Sequence, residues 1–446
     1  MDINGHGLKK GIHEIRGNWL PFLLIVVIAL FSIVLKSDSY VQLIGMAIGA
    51  VIGMRLVLKL PILLAVVFHC FYSIFSTVVG SAAGVLIPFY ALFFFNSTYR
   101  IITERNSIPW KTLAPIIVLF VQACVSLLWS DVFGADFLKG RIISLALPIL
   151  VCMQISGPGD RKWLALSLWV TSIVLSVVAI TVGFAVDFSS RVGSYDKVNV
   201  NENYQSALIA GGVIAGYWFL LTKESKLPVI FKLCILVSSI LCMYALLLLA
   251  SRSIFVAVIL ASVFTLVAYF KVDFKKMVVG ALFIGLAVFM LSLLPGTNMI
   301  FDRFGDADVK NLNDRAPLWA LCIKSFENAD LFYQIFGQGV TSSSWLPQRY
   351  TSDLDSVHNS FFQILVEYGI FGLLTFLVLF YRIIVQTFKS KFEDVTVSNI
   401  GMLIIILFSL GSGTFTDTYT YAIFIAWLLI PNAVDTKMSK QALAIN

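Results

Sequence analysis

Long apolar runs and short polar breaks alternate along this chain. The runs fall at about 19–35, 40–54, 60–79, 82–95, 112–129, 142–155, 163–186, 204–221, 229–249, 253–270, 277–294, 359–381, 398–412 and 418–431. A helix crosses a bilayer with about 20 apolar residues. Some runs are shorter, so the pairs 40–54 with 60–79 and 82–95 with 142–155 are where re-entrant or tilted pieces are expected. The expected fold is all-α: a polytopic membrane helical bundle of about 12–14 transmembrane helices. No internal repeat, heptad run or low-complexity tract interrupts the pattern.

One polar stretch is far longer than the others. It divides the chain into a transmembrane bundle over 1–295, a long loop containing short helices over 296–358, and C-terminal transmembrane helices with a tail over 359–446. Inside the loop, Leu318, Trp319, Cys322 and Phe326 recur at helical spacing. Asn313 or Asp314 suits the N-cap of that helix. Lying over the mouth of the bundle, it would hold Arg315 at its edge. A second expectation concerns Leu227 to Lys271, which as one helix would run about 67 Å, over twice the membrane core. It must be two spans with a tight reversal, and Ser251-Arg252-Ser253 is its only polar punctuation.

Composition agrees with the pattern. Of the 446 residues 59% are hydrophobic and 13% charged, whereas a soluble domain carries about 25% charged residues. The six cysteines show no CxxC or Cys/His metal spacing and no disulfide framework; only Cys322 falls in the polar loop. Lys9, Lys10 and Arg16 precede the run from Trp19 to Leu35, which is long and lacks a small-x-small cleavage site. It reads as a retained first helix.

The net charge of +7 conceals an asymmetry. With the N-terminus inside, every second loop is basic, from Arg55 and Lys59 through Arg161 and Lys162 to Lys437 and Lys440. That is the positive-inside pattern, and one miscounted span would reverse every later loop. On the other face acidic residues outnumber basic ones, so Arg141, Arg191, Arg252, Arg303, Arg315 and Arg349 stand out there.

Four features carry candidate chemistry. Arg252 sits at a turn with no local Asp or Glu, either snorkelling to head groups or binding an anion in a cavity. Arg191 lies in a polar loop with Gly193, ahead of Asn203, a plausible helix cap whose helix would offer free N–H groups. His358 is one of four histidines and the only one in a polar setting, where a loop meets a membrane helix. A histidine titrates near neutral pH and suits a general base. Glu367, further along that helix, is about half a turn out of phase with His358 and is expected to pair with another helix. Asp306-Ala307-Asp308 and Asp353-Leu354-Asp355 have the Asp-x-Asp spacing of metal-dependent glycosyltransferases, a match that arises easily in an Asp-rich loop.

Taken in order, Arg191-Val192-Gly193, Asn201-Glu202-Asn203, Ser251-Arg252-Ser253, Asn313-Asp314-Arg315 with Trp319, and Gly337-Gln338-Gly339 lead to His358-Asn359-Ser360-Phe361-Phe362 and Glu367-Tyr368-Gly369-Ile370-Phe371-Gly372. The set resembles the O-antigen polymerase and O-antigen ligase superfamily of bacterial inner-membrane glycosyltransferases over about residues 185–375. Asn199-Val200-Asn201 stands where members often show a Pro-Asn pair. The resemblance implies a GT-C-like fold with the long loop in the periplasm. It implies a donor glycan on undecaprenyl diphosphate, metal-independent inverting transfer without a cofactor, the lipid bilayer and a chain-length regulator as partners, and no nucleic acid. Carried onto this chain, it assigns His358 as the base that deprotonates the acceptor hydroxyl. Arg191 and Arg252 go to the diphosphate, Arg315 to the diphosphate or the donor glycan, and Asn203 and Asn359 to substrate binding.

Three functions remain open at this point. A polymerase transfers to another lipid-linked repeat unit. A ligase transfers to the lipid A core, which usually carries phosphate and favours a basic outer surface; the acidic outer face here argues for polymerase. A transporter or flippase would show inverted repeats and midplane sites, neither of which is present in the sequence. If Arg191 and Arg252 grip a diphosphate, a point charge cannot replace the guanidinium fork. Arg252→Lys and Arg191→Lys should then lose transfer nearly as completely as the alanine variants, with normal membrane insertion. Full turnover in either lysine variant would leave only the snorkelling role.

Overall fold

Backbone polar groups in lipid must be satisfied within the protein, and the regular secondary structure of the described residues is helical throughout. The computed structural model describes residues 110–131, 135–153, 160–181, 202–221, 228–269, 315–350, 357–388, 393–412 and 420–429, with scattered positions over 98–102 and 275–300. The chain divides into Met1–Asn96 and Ser97–Asn446, and every described helix lies in the second unit. The apolar runs expected before residue 96, the first helix included, lie outside the described residues.

Among the described residues, the helices with defined bounds before the long loop are α1 (Trp110–Ser126), α2 (Ala135–Met153), α3 (Asp160–Thr181), α4 (Glu202–Leu221), α5 (Val229–Leu249) and α6 (Arg252–Tyr269). Three short ones follow, α7 (Arg315–Glu327), α8 (Leu331–Phe336) and α9 (Ser342–Tyr350). The chain then continues through α10 (Ser360–Phe388), α11 (Glu393–Ser412) and α12 (Thr420–Leu429). Among the described residues, Asn203–Leu221, Val229–Leu249 and Ser360–Phe388 are long and apolar enough to cross a membrane, and five shorter apolar helices accompany them. This is the multi-pass bundle that the hydropathy pattern implies.

The expected reversal is present. Helix α5 ends at Leu249, Ala250 takes a left-handed conformation (φ 53, ψ 28), and its N–H bonds the Leu247 carbonyl. Ser251 follows and α6 begins at Arg252. Ala250 is not glycine, so that backbone costs about 1–2 kcal/mol, offset by the buried contacts of the two spans.

Helix contacts inside the bundle use small and hydroxyl side chains, as expected where lipid competes equally for apolar surface. Trp169 on α3 donates to Ser238 Oγ on α5 at 2.9 Å, and Cys242 meets Ser172 at 3.6 Å. At the end of the bundle opposite the short helices, Arg161 donates to Asn399 Oδ1 at 2.5 Å. The same oxygen accepts from Trp427 Nε1 at 3.1 Å, and the guanidinium lies 5.4 Å from the Trp427 ring centroid. Arg161, read from sequence as a loop cation, is in fact buried and ties α3, α11 and α12 together.

Helices α7, α8 and α9 form a cap against the first turns of α10. Its core joins Cys322, Leu346, Val357 and Val366, with Leu321, Trp345 and Phe362 packed on it. Leu318 and Cys322 are buried on the face that the sequence pattern marks. Cys322 is therefore not a thiol in an open loop: burial pushes it up to about 12, out of reach of thiolate chemistry.

The basic-loop pattern expects this cap on the periplasmic side. Asn328, exposed at the end of α7, provides a probe position. In a cysteine-free background, Asn328→Cys should react with an impermeant maleimide on intact spheroplasts, and Lys226→Cys should react only after lysis. The reverse pattern would invert the orientation of the whole bundle.

Candidate functional site

Helix α10 is broken at Gly369, whose φ of 65 and ψ of −164 no helix tolerates. A left-handed φ is cheap only for glycine, and a Cβ there would also run into the Ile335 carbonyl. The break frees carbonyls from the i→i−4 ladder. They are reclaimed by groups distant in sequence: Val366 O accepts from Gln338 N at 2.9 Å and Glu367 O from Gly339 N at 3.1 Å. Tyr368 O accepts from Gln122 Nε2 at 2.7 Å, and the same amide donates to Phe336 O at 3.1 Å. The Gly337-Gln338-Gly339 segment thus lies along the break like a paired strand. Gly337 (φ 83) passes so near that a Cβ would overlap the Glu367 carbonyl.

The end of α1 completes this seat. Trp129 Nε1 donates to Gly337 O at 3.1 Å and Ser130 Oγ to Val340 O at 2.6 Å. Val340 N in turn donates to Ser126 Oγ at 3.1 Å.

Glu367 pairs with another helix, as its phase on α10 predicts. Arg141 on α2 lies 3.2 Å from its Oε1, and the two side chains are 1% and 0% exposed. Ser343 donates to the same carboxylate oxygen at 2.5 Å, and Arg141 Nη2 donates to Ser344 Oγ at 2.8 Å. The buried pair therefore clamps the start of α9 between α2 and α10.

His358 stands at the junction of cap and membrane helix. Its φ is 49, a left-handed backbone that is uncommon for a non-glycine residue. Both neighbours hold it there. On one side Trp319 donates to Val357 O at 3.3 Å and stacks on Phe362 at 5.6 Å. On the other, Asn359 Oδ1 accepts from Phe361 N at 2.9 Å and Phe362 N at 3.3 Å, capping α10. The sequence reading gave Asn359 to substrate, whereas here its carboxamide oxygen serves the helix N-terminus. Arg315 opens α7 one turn ahead of Trp319 and on the same face.

A second cluster forms where α4 meets the α5–α6 turn. Ser251 Oγ donates to Asn203 Oδ1 at 2.7 Å, so Asn203 is brought beside the residue preceding Arg252. Asn203 does not precede its helix as a cap would: α4 begins at Glu202, and its side-chain oxygen is used laterally. Helix α11 packs against α4, α6 and α10, so both clusters sit on helices sharing one neighbour. Arg191, Asp306, Asp308, Asp353 and Asp355 lie outside the described residues. Among those described, no group of three or more His, Cys, Asp and Glu side chains converges.

Sequence reasoning gave no role to Arg141, Gln122 or Ser126. A signal existed for the first: a carboxylate within an apolar helix needs a cation, and Arg141 was among the few arginines on the right face. Nothing in the sequence pairs Gln122 with a helix break so far along the chain.

A bundle of long apolar helices, with short helices packed against the start of one of them, defines a class: multi-pass membrane proteins. Within that class, residues 237–377 match the model of the Wzy_C family, O-Antigen ligase. The family takes in O-antigen polymerases and ligases, enzymes that transfer lipid-linked glycans. The match runs from the middle of α5 to the middle of α10 and contains Arg252, Arg315, His358, Asn359 and the Gly369 break; Arg191 and Asn203 precede it. No curated protein matches the chain.

Removing one member of a buried ion pair leaves the other uncompensated, at a cost of about 3–5 kcal/mol. Arg141→Met should therefore lower the stability of the detergent-solubilised protein by that order. Adding Glu367→Gln should recover most of the loss. Chemical unfolding of the single and double variants measures both, and equal losses in the two would show that the pair is not the source.

Proposed function

We propose that the protein is a polymerase of lipid-linked oligosaccharide repeat units of O-antigen or a related surface polysaccharide. It works at the periplasmic face of the bacterial inner membrane, without metal. The acceptor hydroxyl oxygen of one repeat unit attacks the anomeric carbon of the glycan on a second. The carbon–oxygen bond to the diphosphate breaks, and undecaprenyl diphosphate leaves with the electron pair. His358 takes the hydroxyl proton, and the anomeric configuration inverts. Arg191 and Arg252 neutralise the diphosphate through forked donors, Arg315 binds the diphosphate or the glycan next to it, and Asn203 and Asn359 contribute to substrate binding. A chain-length regulator is the expected protein partner.

The observation that carries this reading is the backbone of His358. Strained conformations persist only where the surroundings impose them, and they cluster at functional sites. Here the Trp319 bond, the Trp319–Phe362 stack and the Asn359 cap impose one on the single histidine at the cap junction. The ligase reading is supported by the description of the matched family, and the acidic excess expected on the outer face weighs against a phosphorylated core acceptor. Purified protein given lipid-linked repeat units separates the two. A ladder of longer glycans supports polymerase, and product only with added lipid A core supports ligase.

General-base catalysis contributes about 10² to 10⁴-fold. His358→Ala should lose turnover by about that factor and still bind undecaprenyl-diphosphate-linked donor. His358→Gln should not restore it, because an amide cannot take the proton. Initial rates at saturating donor from pH 5.5 to 8.5 should fall on the acid side in wild type only. Near-normal turnover in the Gln variant would reduce His358 to positioning the acceptor, and lost donor binding would move it to the diphosphate site.

A further inference from the structure

Part of the cap is at the wrong depth to be outside the membrane. Lys111 on α1 and Arg382 on α10, both exposed, mark the edge of the membrane on the side away from the cap. Counting about 20 residues from each puts the opposite edge near Asp131, just past the end of α1, and near Phe362 on α10. The two helices touch where Gln122 donates to Tyr368 O. From either helix, that contact lies roughly 10 Å inside the hydrocarbon at 1.5 Å per residue. The Arg141–Glu367 pair, about two turns into α2 and α10, lies at the same level. An intramembrane charge is expected to be paired in this way.

Helix α8 is fastened at this depth. Its last carbonyl, Phe336 O, shares the Gln122 amide, and the following Gln338 and Gly339 pair with the α10 break. Yet α8 leaves apolar side chains uncovered: Leu331 is 71% exposed, Phe332 47%, Ile335 38% and Phe336 38%. Phe332 lies 5.2 Å from Trp129 and Phe336 6.2 Å from Phe371. The patch therefore continues into the exposed Leu128 in the turn after α1 and the exposed Ile370, Phe371 and Leu374 on the lipid-facing surface of α10.

We propose that Leu331–Gly339 is a re-entrant segment, with the Leu331, Phe332, Ile335 and Phe336 side chains seated among lipid acyl chains in the leaflet on the cap's side. Non-helical backbone at that depth is tolerated only where protein satisfies it. The carbonyls of Gly337 and Val340 and the N–H groups of Gln338, Gly339 and Val340 all have partners on α1, in the turn that follows it, or on α10. The occupant is bilayer hydrocarbon because the patch is continuous with the faces of two membrane helices.

The test uses the full chain in lipid nanodiscs, in a cysteine-free background, with nitroxide labels at Leu331→Cys and Phe332→Cys. Leu374→Cys serves as the lipid-facing standard and Glu327→Cys as the aqueous one. Power saturation should show both α8 labels more accessible to oxygen than to a water-soluble nickel chelate, close to the Leu374 standard. Ile335→Cys replaces either position if its variant does not fold. Chelate access like that at Glu327 would place α8 in water. Low access to both reagents would mean that a second copy or another protein covers it. Either result overturns the proposal.

Discussion

The structure depends on the break in α10 at Gly369. Leaving carbonyls unpaired at membrane depth costs several kcal/mol each, so the helix can be interrupted only if something else donates. Two backbone N–H groups of the cap and the Gln122 side chain do so. The cap is thereby hydrogen-bonded to the membrane helix at its weakest point. Neither part can move independently without stranding polar groups.

This arrangement explains which features were legible in the sequence. Hydropathy located each described span, with ends off by up to seven residues, because a run of apolar residues long enough to cross lipid is visible in sequence. The reversal at Ser251 and the α7 face were readable for the same reason: each follows from length or periodicity within one segment. Glu367 could be seen to need a partner, though not which one. The role of Gly337-Gln338-Gly339 was not readable. Its function is to match a break in another segment, and local pattern carries no record of that pairing. The bonds that Asn203 and Asn359 make to Ser251 and to the α10 N-terminus were not readable for a related reason. Asparagine bonds equally well to a substrate, a helix end or a neighbouring serine, and only the fold decides between them. Arg191 and the Asp-x-Asp pairs lie outside the described residues.

The candidate site inherits its rigidity from the same network. His358 is one residue from the Asn359 cap and one from the carbonyl held by Trp319. Trp319 belongs to α7, which packs on α10 and on α9, and the start of α9 is held by the Arg141–Glu367 pair through Ser343 and Ser344. A base works when it is held within hydrogen-bond reach of the proton it takes. Here the restraint on the His358 backbone comes from packing and hydrogen bonds on either side of it. Glu367, the only carboxylate of α10, is already committed to Arg141, Ser343 and the seat of the cap.

A lipid-linked donor sets a further condition. Its isoprenoid chain stays in the leaflet while its diphosphate and glycan lie at or beyond the head groups, so the reacting carbon is held close to the membrane edge. An enzyme for such a donor must keep its base at a constant height above the hydrocarbon. A cap resting only on the bundle's outer rim would be registered against head groups that fluctuate. At the depth proposed for the Gly369 break, a cap fastened there is registered against the membrane helix itself, and the stretch from Ser360 to Gly369 becomes a helical spacer of about 14 Å between that fastening and His358. Under the proposed reaction, the spacing from the His358-Asn359 pair to Gly369 is then a measure of height, and the broken helix is what sets it.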